Sequence, residues 1–491
     1  MHETFLILPV LTAILGGALL FSPVFRQNRP LREGYTMAVT LLTSVLLWGL
    51  VLRRPEDGLL LLHFTGDLNL TLKLDGMGSV FAALIATLWP FAALYAFEYM
   101  RHADRQNGFL AFYTMTFGVT AGIALAGNML TLYMFYEMLT LVTVPLVMHP
   151  MTREAIRASR KYLYYSLGGA AFAFLGLVFL LVNGATTAFT PGGTINAYAL
   201  DSHHDIMLII YVMTFFGFSV KAAMFPFHGW LPTASVAPTP VTALLHAVAV
   251  VKSGAFAIIR LTYFSYGTVF LRHTWAQVLV MGAAMVAIAF ASTTALRQTH
   301  FKRRLAYSTI SNLSYILLAA SMMSPFGMVA ALAHMVCHAF TKICSFLCAG
   351  AVMHQTGRAY IYELNGVGRK MPVTFACFTV SALSLMGVPL FACFISKWKI
   401  AEAATQSEGV LPKLAVVVLL YSAFMTAAYM LTVVIRAFSP IPAEAGGLKD
   451  VRDPNWLMLL PLVLFAAAII LIGVHPAPLL DLLEQIAAWK W

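Results

Sequence analysis

Charge is scarce in this chain. Asp, Glu, Lys and Arg make up 10% of its 491 residues, against 60% hydrophobic residues and a mean hydropathy of +0.81. No soluble fold of that length could hide so much apolar surface, so the chain belongs in lipid. Long polar stretches are missing too. Hydrophobic runs follow one another from Leu6 to Val474 and leave no room for a separate soluble domain. Cysteine is limited to Cys337, Cys344, Cys348, Cys377 and Cys393, all in apolar segments without metal-ligand or iron-sulfur spacing, and they read as small packing residues. A Gly-rich dinucleotide fingerprint, a phosphate loop and haem-attachment spacing are also lacking. The chain is therefore expected to carry no cofactor and no metal, and to perform no redox chemistry itself.

What is present is a succession of apolar segments, each near the roughly 20 residues a membrane helix needs. They predict an all-α integral membrane protein of about fourteen transmembrane helices. These begin near Thr4, Tyr35, Met77, Phe109, Met129, Tyr162, Ile206, Thr239, His273, Leu305, Phe326, Val373, Leu411 and Trp456. The first run is short enough for a signal peptide, but without a basic flank or an evident cleavage site it reads as the first span. The net charge of +11 invites a nucleic-acid reading, which the positions of the charges remove. Nineteen of the 31 basic residues follow odd-numbered segments, among them Arg26, Arg157, Arg160, Lys161, Lys302, Arg303, Arg304, Arg369 and Lys449. By the positive-inside rule those loops face the cytoplasm of a prokaryotic inner membrane, and both termini face outward.

Five lysines fall in or at the edge of spans, namely Lys221, Lys252, Lys342, Lys397 and Lys399, and one glutamate, Glu137, falls deep in a helix. An ionised lysine at mid-bilayer costs about 2.5 to 3.5 kcal/mol, so four of them threaten ~10 to 14 kcal/mol, comparable with the whole stability of a domain. Water, partner charges or deprotonation must offset that cost, and a lysine that alternates between its two forms can pass protons. Glu137 and Lys221 suggest a switchable pair; a plain packing ion pair would not explain so many further lysines.

Lys221 lies five residues before Pro226, and Pro389 precedes Lys397, so the seventh and twelfth segments are predicted to be broken. Paired breaks point to two inverted five-helix repeats, segments four to eight and nine to thirteen. The corresponding divisions are 1–108, 109–265, 266–440 and 441–491. His334, His338 and Lys342 recur at i, i+4 and i+8 on one helical face, which suits a proton relay better than a core histidine or an incomplete metal set. His246 and Lys252 stand about 240° apart on an ideal helix and should face different neighbours. His228, Pro226, Pro389 and Lys399 sit at or beside the breaks as candidates for access or gating, with an ordinary loop or cap role equally open for His228.

The run Pro226-Phe-His-Gly-Trp-Leu-Pro-Thr-Ala, the stretch from Ala237 to Gly254, Lys302-Arg-Arg-Leu-Ala-Tyr-Ser-Thr-Ile-Ser and His334-Met-Val-Cys-His-Ala-Phe-Thr-Lys carry a specific likeness. The sequence resembles the antiporter-like subunits of respiratory complex I, membrane-bound hydrogenases and Mrp-type sodium/proton antiporters over roughly Met77 to Phe438. By that resemblance Glu137, Lys221, Lys252 and Lys397 match the family's ionisable residues on helices five, seven, eight and twelve. His246, His334, His338 and Lys342 match its central polar axis. Thr233, His300 and Ser314 depart from the usual pattern. The chain ends soon after the fourteenth segment, closer to mid-sized members such as the Mrp D-type subunit. The resemblance implies a proton-translocating subunit of a redox-driven complex, or alternatively a sodium/proton antiporter subunit. Its expected partners are other membrane subunits, further antiporter-like subunits among them, together with the lipid bilayer and a cytoplasmic redox module, with no nucleic acid. A sugar or amino-acid carrier would need a roomy polar site, and a structural anchor has no use for buried ionisable groups.

Overall fold

A computed structural model describes residues 3–66, 68–195, 204–440, 448 and 450–490; Lys449, counted above among the basic loop residues, lies outside them. The principal helices are α1 (Leu8–Leu19), α2 (Arg29–Arg53), α3 (Gly76–Tyr99), α4 (Gln106–Ala124), α5 (Met129–Met148), α6 (Arg153–Asn183), α7 (His204–Lys221), α8 (Thr239–Ala247) and α9 (Val250–Arg260). They continue with α10 (Trp275–Arg297), α11 (Phe301–Ala320), α12 (Pro325–Thr356), α13 (Pro372–Met386), α14 (Ala392–Gln406), α15 (Val410–Phe438), α16 (Trp456–Val474) and α17 (Ala477–Ala487). Among the described residues, ten helical stretches are long and apolar enough to cross a membrane.

Local chemistry sets where these helices start. Asn28, Asp75, Asn128, Thr152 and Ser324 each accept a hydrogen bond from a backbone N–H in the first turn of α2, α3, α5, α6 and α12. Such caps satisfy donors that no helix can satisfy internally. An antiparallel hairpin of β1 (Leu59–Thr65) and β2 (Leu68–Leu72) joins α2 to α3, an addition that hydropathy does not signal.

α2 is polar inward and apolar outward. Thr36, Thr40 and Thr43 are buried and return their hydroxyls to carbonyls one turn back, whereas Leu41, Leu42, Val45 and Leu52 are exposed. That inversion is stable only where the surroundings are themselves apolar.

The connections fall into two sets, each bonded to its own kind. On one face Lys73 N–H donates to Leu125 O at 2.8 Å, Met129 N–H to Thr187 O at 3.1 Å and Thr194 N–H to Ser265 O at 2.8 Å. Arg272 donates to Met323 O at 2.8 Å on the same face. On the other, Arg32 donates to Asn107 at 3.1 Å, Phe301 N–H to Ala359 O at 2.9 Å and Thr374 N–H to Asp453 at 3.0 Å. We call these the hairpin face and the basic face. The short 3-10 turn Glu3–Leu6 packs on β1 and Trp489 packs on Phe264, so both ends of the described chain lie on the hairpin face.

Two chain breaks lie inside the bundle. α7 stops at Lys221; Ala223 has φ +53°, and short helical turns at Phe227–Gly229 and Trp230–Ala234 follow. The Val220 carbonyl beside the break accepts the Trp230 indole N–H at 2.7 Å. α13 ends on Gly387 at φ +88°, a left-handed conformation glycine adopts without steric cost, and Pro389 follows before α14 begins. Lys221 thus closes the helix before its break, whereas Lys397 lies within the helix after its own.

Thr239–Tyr266 and α12 are the most deeply buried long stretches, and α12 packs against α3, α8, α11, α13, α14, α16 and α17. These two central elements carry five of the ionisable residues singled out above.

Candidate functional site

Lys221 is fully buried and its Nζ lies 3.5 Å from Glu137 Oε1, whose side chain is 23% exposed. The ammonium also donates to the Tyr136 backbone carbonyl and sits 3.4 Å from the Tyr136 ring centroid. It is thus held by a charge, a carbonyl and a π face together. Gly254 of α9 makes this approach feasible: a Cβ there would stand 2.5 Å from Ala222 N.

A second group begins two residues earlier on α9. Lys252 Nζ lies 2.7 Å from His338 Nδ1, both fully buried, and no carboxylate pairs with Lys252 among the described residues. Two protonated groups cannot share that contact. One nitrogen must accept, so the proton belongs to the lysine or to the imidazole in turn. The His338 and His334 rings lie nearly parallel with centroids 5.7 Å apart, as one helical turn demands. His334 Nδ1 contacts Ser396 Oγ at 2.9 Å, and its ring meets Tyr315 at 5.3 Å. Tyr315 in turn lies 5.4 Å from Lys397 Nζ, which donates to Leu385 O in the last turn of α13. A cation there complements the helix C-terminus.

Lys342 completes the stripe on α12, donating to Leu305 O at 3.1 Å and Ser308 Oγ at 2.8 Å; Ser308 also accepts from Tyr429 at 2.8 Å. His246 packs its ring 4.5 Å from Phe346 and is fully buried, yet neither of its nitrogens has a hydrogen-bond partner among the described residues. His338 Nε2 is in the same condition. Buried polar atoms of this kind are sites for internal water.

One expectation is corrected. His246 and Lys252 do not face different neighbours, because the helix carrying them is interrupted at Val248 and Ala249, where Ala249 N–H bonds Leu244 O, five residues back. The interruption resets the helical phase, and both side chains meet α12.

Not every candidate joins the group. His228 is half-buried between Phe225, Phe290 and Tyr307 on the first break, away from the lysines of α9 and α12. Lys399 pairs with Glu402 at 3.2 Å and with Glu484 of α17 at 3.4 Å, towards the hairpin face. Pro226 and Pro389 lie in the breaks that follow α7 and α13. No three His, Cys, Asp or Glu side chains converge as metal ligands among the described residues. Sequence reasoning missed Ser396, Tyr315 and Ser308, which are ordinary helix residues until the bundle closes. It also missed the Asp75–Arg260 pair, in which Arg260 is fully buried and donates to Asp75 at 2.7 Å.

The helices and this line of enclosed ionisable side chains define a polytopic membrane protein built around an internal charged axis. The chain belongs to the NADH:quinone oxidoreductase/Mrp antiporter transmembrane family, whose pattern matches residues 126–426. It is 31% identical over 422 residues to the A/B component of a probable K(+)/H(+) antiporter of Rhizobium meliloti, with 84% of this chain and 40% of that protein aligned. It is 33% identical over 347 residues to the A component of the Na(+)/H(+) antiporter of Alkalihalophilus pseudofirmus, covering 67% of this chain and 42% of the other. The chain thus spans less than half the length of these two curated relatives. A chain of the membrane-bound sulfane sulfur reductase, an archaeal respiratory membrane complex, shares the fold with a TM-score of 0.85, 24% identity and 99% and 97% coverage of the two chains. A chain of the Mrp complex from Dietzia sp. DQ12-45-1b does so with a TM-score of 0.83 at 20% identity, covering 99% of this chain and 97% of the other.

Proposed function

We propose that this chain is the proton-translocating membrane subunit of a multisubunit complex and that protons move along the axis Glu137, Lys221, Lys252, His338, His334 and Lys397, with Lys342 and His246 alongside. The observation that carries this reading is the 2.7 Å contact between Lys252 and His338, two buried bases with no carboxylate partner among the described residues, continued through His334 and Tyr315 to Lys397. A packing ion pair needs opposite charges, whereas two bases in contact suit a proton that changes owner. Glu137 holds Lys221 charged while the two are paired, and separation frees the lysine to pass its proton on. His228, Pro226, Pro389 and Lys399 serve access or gating at the two breaks.

Fourteen crossings, divided at 1–108, 109–265, 266–440 and 441–491 with inverted repeats in the middle two, fit the helix order and the two sets of connections. The basic face is cytoplasmic and both termini lie outside a prokaryotic inner membrane. Partners are other membrane subunits, further antiporter-like subunits included. Energy comes from a partner redox module, as expected for a relative of the respiratory complex. The names of the curated relatives favour a second source, sodium or potassium exchanged for protons.

Reconstitution of the purified complex with a lumenal pH dye tests both readings. Lys252→Met and His338→Gln should each reduce proton flux by about 10²-fold, the usual cost of losing a proton-transfer group. Unchanged flux in both variants rejects the axis. Flux that needs an electron donor identifies the redox reading, and flux driven by a sodium or potassium gradient alone identifies antiport.

A further inference from the structure

Lys302 enters the sequence as one of the basic loop residues that orient the chain. In the folded protein it is 5% exposed, on the first turn of α11, between buried Phe301 and exposed Arg303. Its Nζ donates to Ala237 O at 2.9 Å, and the same carbonyl accepts from Thr242 Oγ1 at 3.0 Å. Thr242 lies one turn before His246 on α8, so one face of that helix leads from the Lys302 contact to the histidine whose nitrogens lack protein partners. His246 lies in the electrostatic reach of both Lys342 and Lys302. The position is a poor one for a fixed cation. The start of a helix carries the positive end of the backbone dipole, which repels an ammonium, and no carboxylate pairs with Lys302 among the described residues.

We infer that Lys302 is a further proton-carrying residue, which connects His246 to the basic face across the segment that follows the first break. It provides the axis with access on the side where the 298–304 and 357–371 connections meet, a role that surface orientation would not require of a buried side chain. This inference rests on the proton-translocating reading above, and it adds the end of the route that the lysines of α9, α12 and α14 do not reach.

The test separates a carrier from a structural cation by using substitutions on either side of lysine. Lys302→Arg keeps the charge and a donor for Ala237 O but cannot release its proton. Lys302→Gln keeps a donor but is permanently neutral. In the reconstituted complex, both should lower proton flux by about 10²-fold at unchanged assembly and unfolding temperature, and Lys302→His should recover part of the flux. Full flux in either the Arg or the Gln variant overturns the inference. Equal loss in all three variants, His included, assigns Lys302 a packing role and overturns it as well. Lys252→Met in the same preparation distinguishes the two levels. If that variant and His338→Gln both pump normally the axis itself is rejected, whereas if they are inactive while Lys302→Gln is active only the role of Lys302 fails.

Discussion

At the scale of single residues, cost is the informative quantity. Glu137 and Lys221 illustrate it, one a quarter exposed and the other fully enclosed. Removing one partner of a buried pair leaves an uncompensated charge, which costs about 3 to 5 kcal/mol in dry surroundings; the exposure of Glu137 places this site at or below the low end. Lys221→Met should therefore lower the unfolding temperature of the detergent-solubilised protein, and Glu137→Gln should do so less, because the remaining ammonium keeps the Tyr136 carbonyl and ring. The double variant should be more stable than the sum of the single losses. Strict additivity across the cycle would mean the two side chains do not interact. Which residues were chemically interesting was legible before folding, because ionisable groups inside apolar runs are rare. Ser396 and Tyr315 were not, since nothing separates a path-lining serine from the many that bond their own helix.

At the scale of elements, interruptions do what ideal helices cannot. The break after Lys221 exposes a carbonyl that the Trp230 indole occupies, and the close approach of Gly254 seals the other side. Gly254→Ala would press a methyl into the Ala222 amide and should destabilise the protein by about 1 to 3 kcal/mol, read as a lower unfolding temperature. Transport should fall more steeply than stability, because the displaced backbone is that of Lys221; a destabilised variant with full flux would show that the break tolerates displacement. Prolines announced the breaks near Lys221 and Lys397. The interruption at Val248 and Ala249 had no such herald, for neither residue forces a helix to break, and it lies in a stretch packed against α12. Ideal periodicity therefore set His246 and Lys252 on different neighbours, whereas both meet α12.

At the scale of the whole molecule, the connections define two faces, and all five native cysteines are buried. That permits a direct topology test in intact cells with a membrane-impermeant thiol reagent. Cysteine placed at Glu56 or Glu408, exposed on the hairpin face, should label from outside. Cysteine placed at Arg303 or Arg369, exposed on the basic face, should label only after permeabilisation. The opposite pattern would invert the orientation. Lys302 and Arg304 qualify the charge count that led to it. Arg304 is buried and donates to Gln298 O and Tyr429 O, so part of the basic loop charge is internal scaffolding.

Hydropathy and the rarity of charge determined by themselves that this is a multi-span membrane protein with ionisable groups set apart inside it, because apolar runs of spanning length and the residues that interrupt them are read directly from composition. The motifs around Pro226, Lys302 and His334 were enough to identify the family. Only the tertiary structure decided which groups meet. Lys252 on His338, Lys302 on Ala237 and His246 beside Phe346 are contacts between residues 65 to 100 positions apart. Their geometry depends on helix phase, on an unannounced interruption and on close-packed glycine, quantities that are properties of the closed bundle and are written in no local stretch of chain.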